Sequence, residues 1–328
     1  MKGVGYLYEK IMTLDNVLAA WELYNSRRPP HLRKLVDVAV AIRILERMKT
    51  DFRGVIGRPR IKYIRESGKV RRLQIPSFQS TIAQTAIWNV CGEFVERRIH
   101  SQSFSSRKGM GGHLAARKCE KFVHCHGMDK AKYCFYFDIK KYYQHIDKRL
   151  LMDRLSCVFK DKKVLELFRI VVYSSDDGLP IGYPFSHALA NLFLVPLYYL
   201  LMSVRNVSKV YVYMDNWTVF SRYKKPLKVA KEFAERWLAG VGCSIKSDWQ
   251  IFPTRCRGVK ICGFVITSGR TRIYPRIWKR LRRNFDRYQK TPNMHLYLSL
   301  MSRLGWLKAI NMQYNPIFQT KQGGYIWR

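Results

Sequence analysis

Tyr133-Cys134-Phe135-Tyr136-Phe137-Asp138 and Val210-Tyr211-Val212-Tyr213-Met214-Asp215-Asn216-Trp217-Thr218-Val219-Phe220 decide the reading of this chain. The first is a short aromatic and apolar run that ends on an acid, the pattern of a buried strand. The second sets two Val- and Tyr-rich segments around Asp215-Asn216, which predicts a tight hairpin. A carboxylate at the end of an apolar strand is costly without a partner. Two such acids among aromatics, in a strongly basic chain, suggest a shared cation.

The surrounding composition narrows the function. The 328 residues carry 60 Lys and Arg against 23 Asp and Glu, a net charge of +37, while 47% are hydrophobic. That apolar share supports a folded core and excludes wholesale disorder. The charge excess calls for a polyanionic partner, nucleic acid before membrane. The longest apolar run, residues 192–204, is broken by Pro196. It is shorter than the ~20 residues of a spanning helix and predicts a buried core helix. Met1-Lys2-Gly3-Val4-Gly5 has no apolar signal core, so the expected location is cytoplasmic. None of the eight cysteines forms a CxxC pair, and they read as reduced thiols. Cys119, His124, Cys125 and His126 match no common zinc spacing and read as a solvated helix end.

Working outward, helices are expected over residues 14–24, behind a Thr13 cap, and over 34–48, with a basic loop at 53–60. Residues 61–65 and 70–75 flank Ser67-Gly68 as a hairpin, and a helix follows over 79–99. Arg107-Lys108-Gly109-Met110-Gly111-Gly112-His113 is a basic, glycine-rich loop before another helix, suited to close approach of a phosphate. Near the C-terminus Ile277, Trp278, Leu281, Phe285 and Tyr288 recur at helical spacing, with Arg276, Lys279, Arg280, Arg282, Arg283 and Arg287 around them. One face packs while the other meets phosphates.

Together these segments resemble the ordered motifs of reverse transcriptases. Phe137-Asp138-Ile139-Lys140-Lys141-Tyr142-Tyr143 resembles motif A, Gly178 through Leu192 motif B, and Tyr213-Met214-Asp215-Asn216 the YxDD box. Val241-Gly242-Cys243-Ser244-Ile245-Lys246 is similar to motif D, and Val259 through Phe264 to the primer grip, motif E. The resemblance runs from about residue 60 to 265. It implies an α+β, right-hand polymerase fold with a split βαβ, largely antiparallel palm sheet. The expected division is N-terminal helices and fingers over 1–130, palm over 131–265 with a helical insertion near 150–175, and a basic thumb over 266–328.

The resemblance also implies roles. Asp138 and Asp215 are the catalytic acids. With the Ile139 carbonyl, and with Asn216 as a further candidate, they would hold two Mg²⁺ ions, or Mn²⁺ in their place. Lys69, Arg71 and Arg72 would hold the triphosphate of a dNTP. Tyr143 would be a steric gate against a 2′-hydroxyl, and Gly182, Ser186 and His187 would complete the nucleotide site. Cys262, Gly263 and Phe264 would form the primer grip. Arg107, Lys108, Lys246 and Arg276, Lys279, Arg280, Arg282 and Arg283 would bind nucleic acid.

Ile181-Gly182-Tyr183-Pro184-Phe185-Ser186 and Trp249-Gln250 are most similar to the diversity-generating retroelement branch, which is bacterial or phage-encoded. That branch implies error-prone copying of a template RNA through an RNA–DNA hybrid, with a small basic helical accessory protein, often a pentamer. An antiphage defence enzyme making repetitive or untemplated DNA, in some cases with a partner polymerase, shares the same motifs. A non-catalytic RNA-binding scaffold is the third reading. Two departures bear on the choice: Asn216 stands where the family usually has a second Asp, and His187 where the branch usually has Gln.

Overall fold

The computed structural model describes residues 5–66 and 68–309; Ser67, the extreme N-terminus and the end of the expected thumb lie outside the described residues. The chain divides into two compact units, each assembled from three separate segments. The first comprises Met1–Arg107, Asp138–Leu201 and Glu232–Ser247; the second comprises Lys108–Phe137, Met202–Lys231 and Asp248–Arg328.

The first unit is helical around one central helix, Phe78–Glu96, whose buried positions occur on all sides. Ser77 caps it by accepting the Ser80 N–H. Helix Leu14–Ser26 begins behind Thr13, as expected, and buries Val17, Ala20, Trp21 and Tyr24. Its Trp21 meets Phe78 edge-on at 4.9 Å. The next helix is Val38–Thr50, starting four residues later than its sequence pattern suggested. Asp37 decides that boundary, because its carboxylate accepts the Val40 N–H and ends the extended segment before it. Within the expected basic loop the chain forms a short helix, Phe52–Ile56, that buries Phe52, Val55 and Ile56. Apolar burial there outweighs the basic residues on either side.

Strands β1 (Arg60–Glu66) and β2 (Lys69–Ile75) form the expected antiparallel hairpin, with Gly68 at φ 82°. Helices Lys148–Val158 and Lys162–Tyr173 follow the motif A segment, capped by Asp147 and Asp161. Asp161 also accepts the Leu7 and Tyr8 N–H groups. Burial opposes its charge, yet its four backbone donors hold the carboxyl below the usual range. The apolar run expected as one buried helix is two, Ser186–Phe193 and Val195–Ser203, separated at Leu194. By composition the 18 residues Ser186–Ser203 are apolar enough to cross a membrane, at mean hydropathy 1.3. Leu189, Leu192, Phe193, Leu197 and Leu201 are nevertheless buried within the protein.

The second unit holds the main sheet. Strands β3 (Tyr133–Asp138), β4 (Val207–Tyr213), β5 (Asn216–Ser221) and β6 (Gln250–Pro253) lie in the order β4-β5-β3-β6. β4 pairs antiparallel with β5, and β3 with β6. Phe137 stacks on Trp217 at 5.8 Å and on Phe135 at 4.7 Å, so β3 and β5 share an aromatic core. Helix Gly112–His126 packs on this sheet: the Tyr211 hydroxyl donates to the Lys118 carbonyl, and Phe122 meets Phe220 edge-on. Strands β7 (Val259–Ile261), β8 (Phe264–Ile266) and β9 (Thr271–Ile273) make a small antiparallel sheet, followed by helices Pro275–Lys290 and Met294–Ala309. Cys119 is buried and Cys125 exposed on helix Gly112–His126, so they face different surroundings.

Candidate active site

The β4–β5 hairpin pairs Tyr213 with Asn216 and leaves Met214-Asp215 as a two-residue turn. Met214 takes a φ of 59°, where glycine is usual. The turn thus holds a conformation most side chains resist, at one of the two acids that the sequence singles out. Asp215 is half-buried. The Asn216 side chain donates from Nδ2 to Asp215 Oδ1 at 3.3 Å, and its Oδ1 accepts the Tyr136 hydroxyl at 2.7 Å. The oxygen expected as a candidate metal ligand is turned to Tyr136. Tyr136 and Asn216 border a cavity of about 510 Å³ with Tyr211, Tyr213 and Tyr274 on its walls.

Asp138 is the last residue of β3. Beyond it the chain bridges to the motif D segment: the Lys246 N–H donates to the Asp138 carbonyl and the Lys140 N–H to the Ser244 carbonyl, both at 2.8 Å. These flank the Ile139–Ile245 bridge. In that pattern the bridged residues point their own amides away from each other, so the Ile139 carbonyl faces away from Ile245. The Lys246 ammonium forms an ion pair with Asp138 Oδ1. Lys246, expected on nucleic acid, is committed to the acid instead, because a half-buried carboxylate attracts the nearest cation.

The family implies divalent ions. Asp138, Asp215 and the Ile139 carbonyl are all oxygen donors, the set that Mg²⁺ and Mn²⁺ take. Among the described residues no three or more His, Cys, Asp or Glu side chains gather as a metal cluster. Mg²⁺ binds through one or two carboxylates and keeps several waters, so two acids and a carbonyl are a donor set it can take.

The expected gate, Tyr143, sits in the short helix Tyr142–His145, which starts after Lys141 in the left-handed region at φ 45°. Tyr142 is buried and donates to the Ala190 carbonyl, the core role expected of it. The Tyr143 hydroxyl lies 2.5 Å from Nδ1 of His187. Burial lowers the His187 pKa, so a neutral imidazole faces the gate. Gly178 permits the approach that fixes this segment: a Cβ there would lie 2.1 Å from the Tyr143 carbonyl.

Other expected positions fall differently. Gly182, at φ 120°, lies against the Gln74 carbonyl, so its missing side chain admits the close approach of β2. Ser186 is buried at the start of its helix and offers nothing to a ligand. Arg72 pairs with Asp177 at 2.8 Å, while Arg71 is exposed; the Lys69 side chain lies outside the described residues. Arg107 reaches inward to the carbonyls of Glu96, His100 and Ser103, a structural anchor rather than a phosphate contact, whereas Lys108 is exposed. In the primer-grip segment Cys262-Gly263 form the β7–β8 turn, both with positive φ. Phe264 is fully buried, so the gripping surface excludes it. On helix Pro275–Lys290, Leu281 and Phe285 are buried, while Arg276, Lys279, Arg280, Arg282 and Arg283 are exposed. Sequence reasoning missed Tyr136 and Gly178, and it missed Lys246 as the partner of Asp138. Only the alternation along β3 hinted that Tyr136 leaves the core.

The helices and antiparallel sheets have the fold of a nucleic-acid polymerase. Residues 61–266 match the reverse transcriptase (RNA-dependent DNA polymerase) family, and the chain belongs to that family. It is thereby classed with the RNA-directed DNA polymerases, which are nucleotidyltransferases. Among solved structures it is similar in fold to telomerases of yeasts. Telomerase from Candida albicans, in complex with a TWJ fragment of telomeric RNA, aligns at TM-score 0.55 and 10% identity over 79% of this chain and 54% of that one. Telomerase from Candida tropicalis without RNA aligns at 0.53 and 11%, over 86% and 64%. Its form truncated from the C-terminal domain aligns at 0.52 and 12%, over 72% and 60%. The chain thus spans less than two thirds of the length of these telomerases, and the likeness concerns the fold. A comparison with curated proteins finds no match.

Proposed function

We propose that the chain copies a template RNA into cDNA from dNTPs, with Asp138 and Asp215 holding two Mg²⁺ ions and the Ile139 carbonyl as a further ligand. The single observation carrying this reading is the sheet order: β3 ends on Asp138, and its neighbour β5 begins directly after Asp215. Bound divalent ions supply charge neutralisation at the attacking and leaving oxygens. The chain supplies position. Tyr143 stands as the sugar gate, exposed Arg71 and Lys108 offer charge to phosphates, and the basic face of Pro275–Lys290 grips the hybrid through its backbone.

The biological role in this reading is mutagenic copying within a diversity-generating retroelement, alongside a small basic helical accessory protein. The motif B residues 181–186 and Trp249-Gln250 support it; His187 departs from that branch, setting an imidazole beside Tyr143 where the branch carries an amide. Primer extension tests the chemistry: Asp138→Ala and Asp215→Ala should each abolish synthesis and leave hybrid binding nearly intact. Near wild-type synthesis by either variant defeats the assignment. Sequencing the product made on co-purified RNA tests the role. Errors directed at template adenines support diversification, and simple repeats point to defence.

A further inference from the structure

Asn216 removes one negative charge from the site the family usually builds with a second Asp, and the hydrogen bonds around it indicate what stands in its place. Its Nδ2 lies 3.3 Å from Asp215 Oδ1, and its Oδ1 lies 2.7 Å from the Tyr136 hydroxyl. A carboxylate only accepts, so the amide nitrogen must face Asp215 and the amide oxygen must face Tyr136. The phenol then donates, and the side chain has one orientation. Tyr136 is in turn held by β3, which pairs with β6 through Tyr136 and Gln250. The chain of bonds therefore runs from the middle of one strand to the strained turn that carries the acid.

We infer that Asn216 is a positioning residue: its amide ties the Asp215 carboxylate to the Tyr136 hydroxyl and keeps that carboxylate oriented when no cation is bound. The inference rests on the reading of Asp215 as a metal ligand. An Asp at 216 would still accept from Tyr136 but would set a second anion beside Asp215, and two adjacent carboxylates repel unless a cation lies between them. The amide replaces that need with a donor. Met214, at φ 59°, gives the turn a conformation that requires such support from its surroundings.

The test uses the full chain and counts free Mn²⁺ by electron paramagnetic resonance, without nucleotide or nucleic acid, beside steady-state kinetics. Tyr136→Phe keeps the ring and removes the donor; Asn216→Ala removes the link. Each should weaken Mn²⁺ binding and lower kcat by about fivefold, the effect of one ordinary hydrogen bond, with the KM for dNTP unchanged. The double variant should be no worse than either single one, because both cut the same chain. In an Asn216→Asp background, Tyr136→Phe should lower kcat less than it does in the unchanged protein, since residue 216 no longer holds Asp215. Multiplicative losses in the double variant, or an undiminished Tyr136→Phe effect in the Asp background, would overturn the inference. Asp215→Ala is the separate control. If it leaves Mn²⁺ binding intact, the metal assignment fails, whatever the other variants do.

Discussion

The Tyr143 hydroxyl and Nδ1 of His187 share a 2.5 Å hydrogen bond, with the two rings edge-on at 86°. Burial keeps the imidazole neutral, so Nδ1 accepts from the phenol and the proton resides on Nε2. Tyr143, the proposed gate, is therefore held by His187. His187→Ala should raise ribonucleotide incorporation about fivefold, the value of one such bond, measured by competition between matched rNTP and dNTP. Tyr143→Ala should raise it further. Protonating His187 removes the acceptor, but its pKa is lowered, so sugar selectivity should stay flat from pH 8 down to 6.5. Equal selectivity in all three proteins would place the gate elsewhere.

Lys246 competes for Asp138. Its ammonium occupies Oδ1, and a cation entering the site must displace it or share the carboxylate. Lys246→Ala should tighten Mn²⁺ binding by about fivefold, within the modest worth of a partly exposed ion pair. Binding weaker than that of the unchanged protein would show that the lysine supports the site.

Arg107 and Lys108 are adjacent yet should separate stability from binding. Arg107→Ala leaves three carbonyls without their donor and should cost about 2–3 kcal/mol in urea unfolding, with RNA affinity unchanged. Lys108→Ala should leave the unfolding midpoint in place and weaken RNA binding, with a shallower dependence on salt. The reverse pattern would return Arg107 to the nucleic-acid surface.

His100 gives the fold an acid-sensitive point. It is buried, stacked on Tyr198 at 3.6 Å, and burial, with Arg107 beside it, pushes its pKa down to about 3. The unfolded chain binds this proton near pH 6.5, whereas the folded chain refuses it until about pH 3. Stability from this site is thus fully present above pH 6.5 and declines as the pH falls toward 3. Between pH 7.5 and 5 the loss should be on the order of 2 kcal/mol, and it should shrink in His100→Gln. Parallel losses in both proteins would assign the acid sensitivity to other groups.

Local features of the fold were legible and long-range ones were not. The β4–β5 hairpin, whose turn lies one residue before the expected Asp215-Asn216, the β1–β2 hairpin and the Thr13 cap each follow from residues within a few positions of one another. The start of Val38–Thr50, four residues after the expected start at residue 34, also has a local signal, the Asp37 cap. Arg107, Lys246 and Gly182 have partners that a local pattern does not reveal. Each looks like a surface or ligand position by type, and its true partner lies elsewhere in the chain: the carbonyls of Glu96, His100 and Ser103, the carboxylate of Asp138, the carbonyl of Gln74. Phe264 shows the same limit, since nothing in the motif distinguishes a gripping ring from a buried one.

The interleaving of the two units bears on how the protein is made. The unit that begins at Met1 is completed only by Glu232–Ser247, after β3, β4 and β5 of the other unit have already emerged and before its remaining strands. Neither unit can close as an autonomous piece early in translation, so the nascent polypeptide exposes apolar strands while waiting for its last segments. A ribosome stalled near residue 200 should therefore display a protease-sensitive, chaperone-bound intermediate rather than a finished lobe.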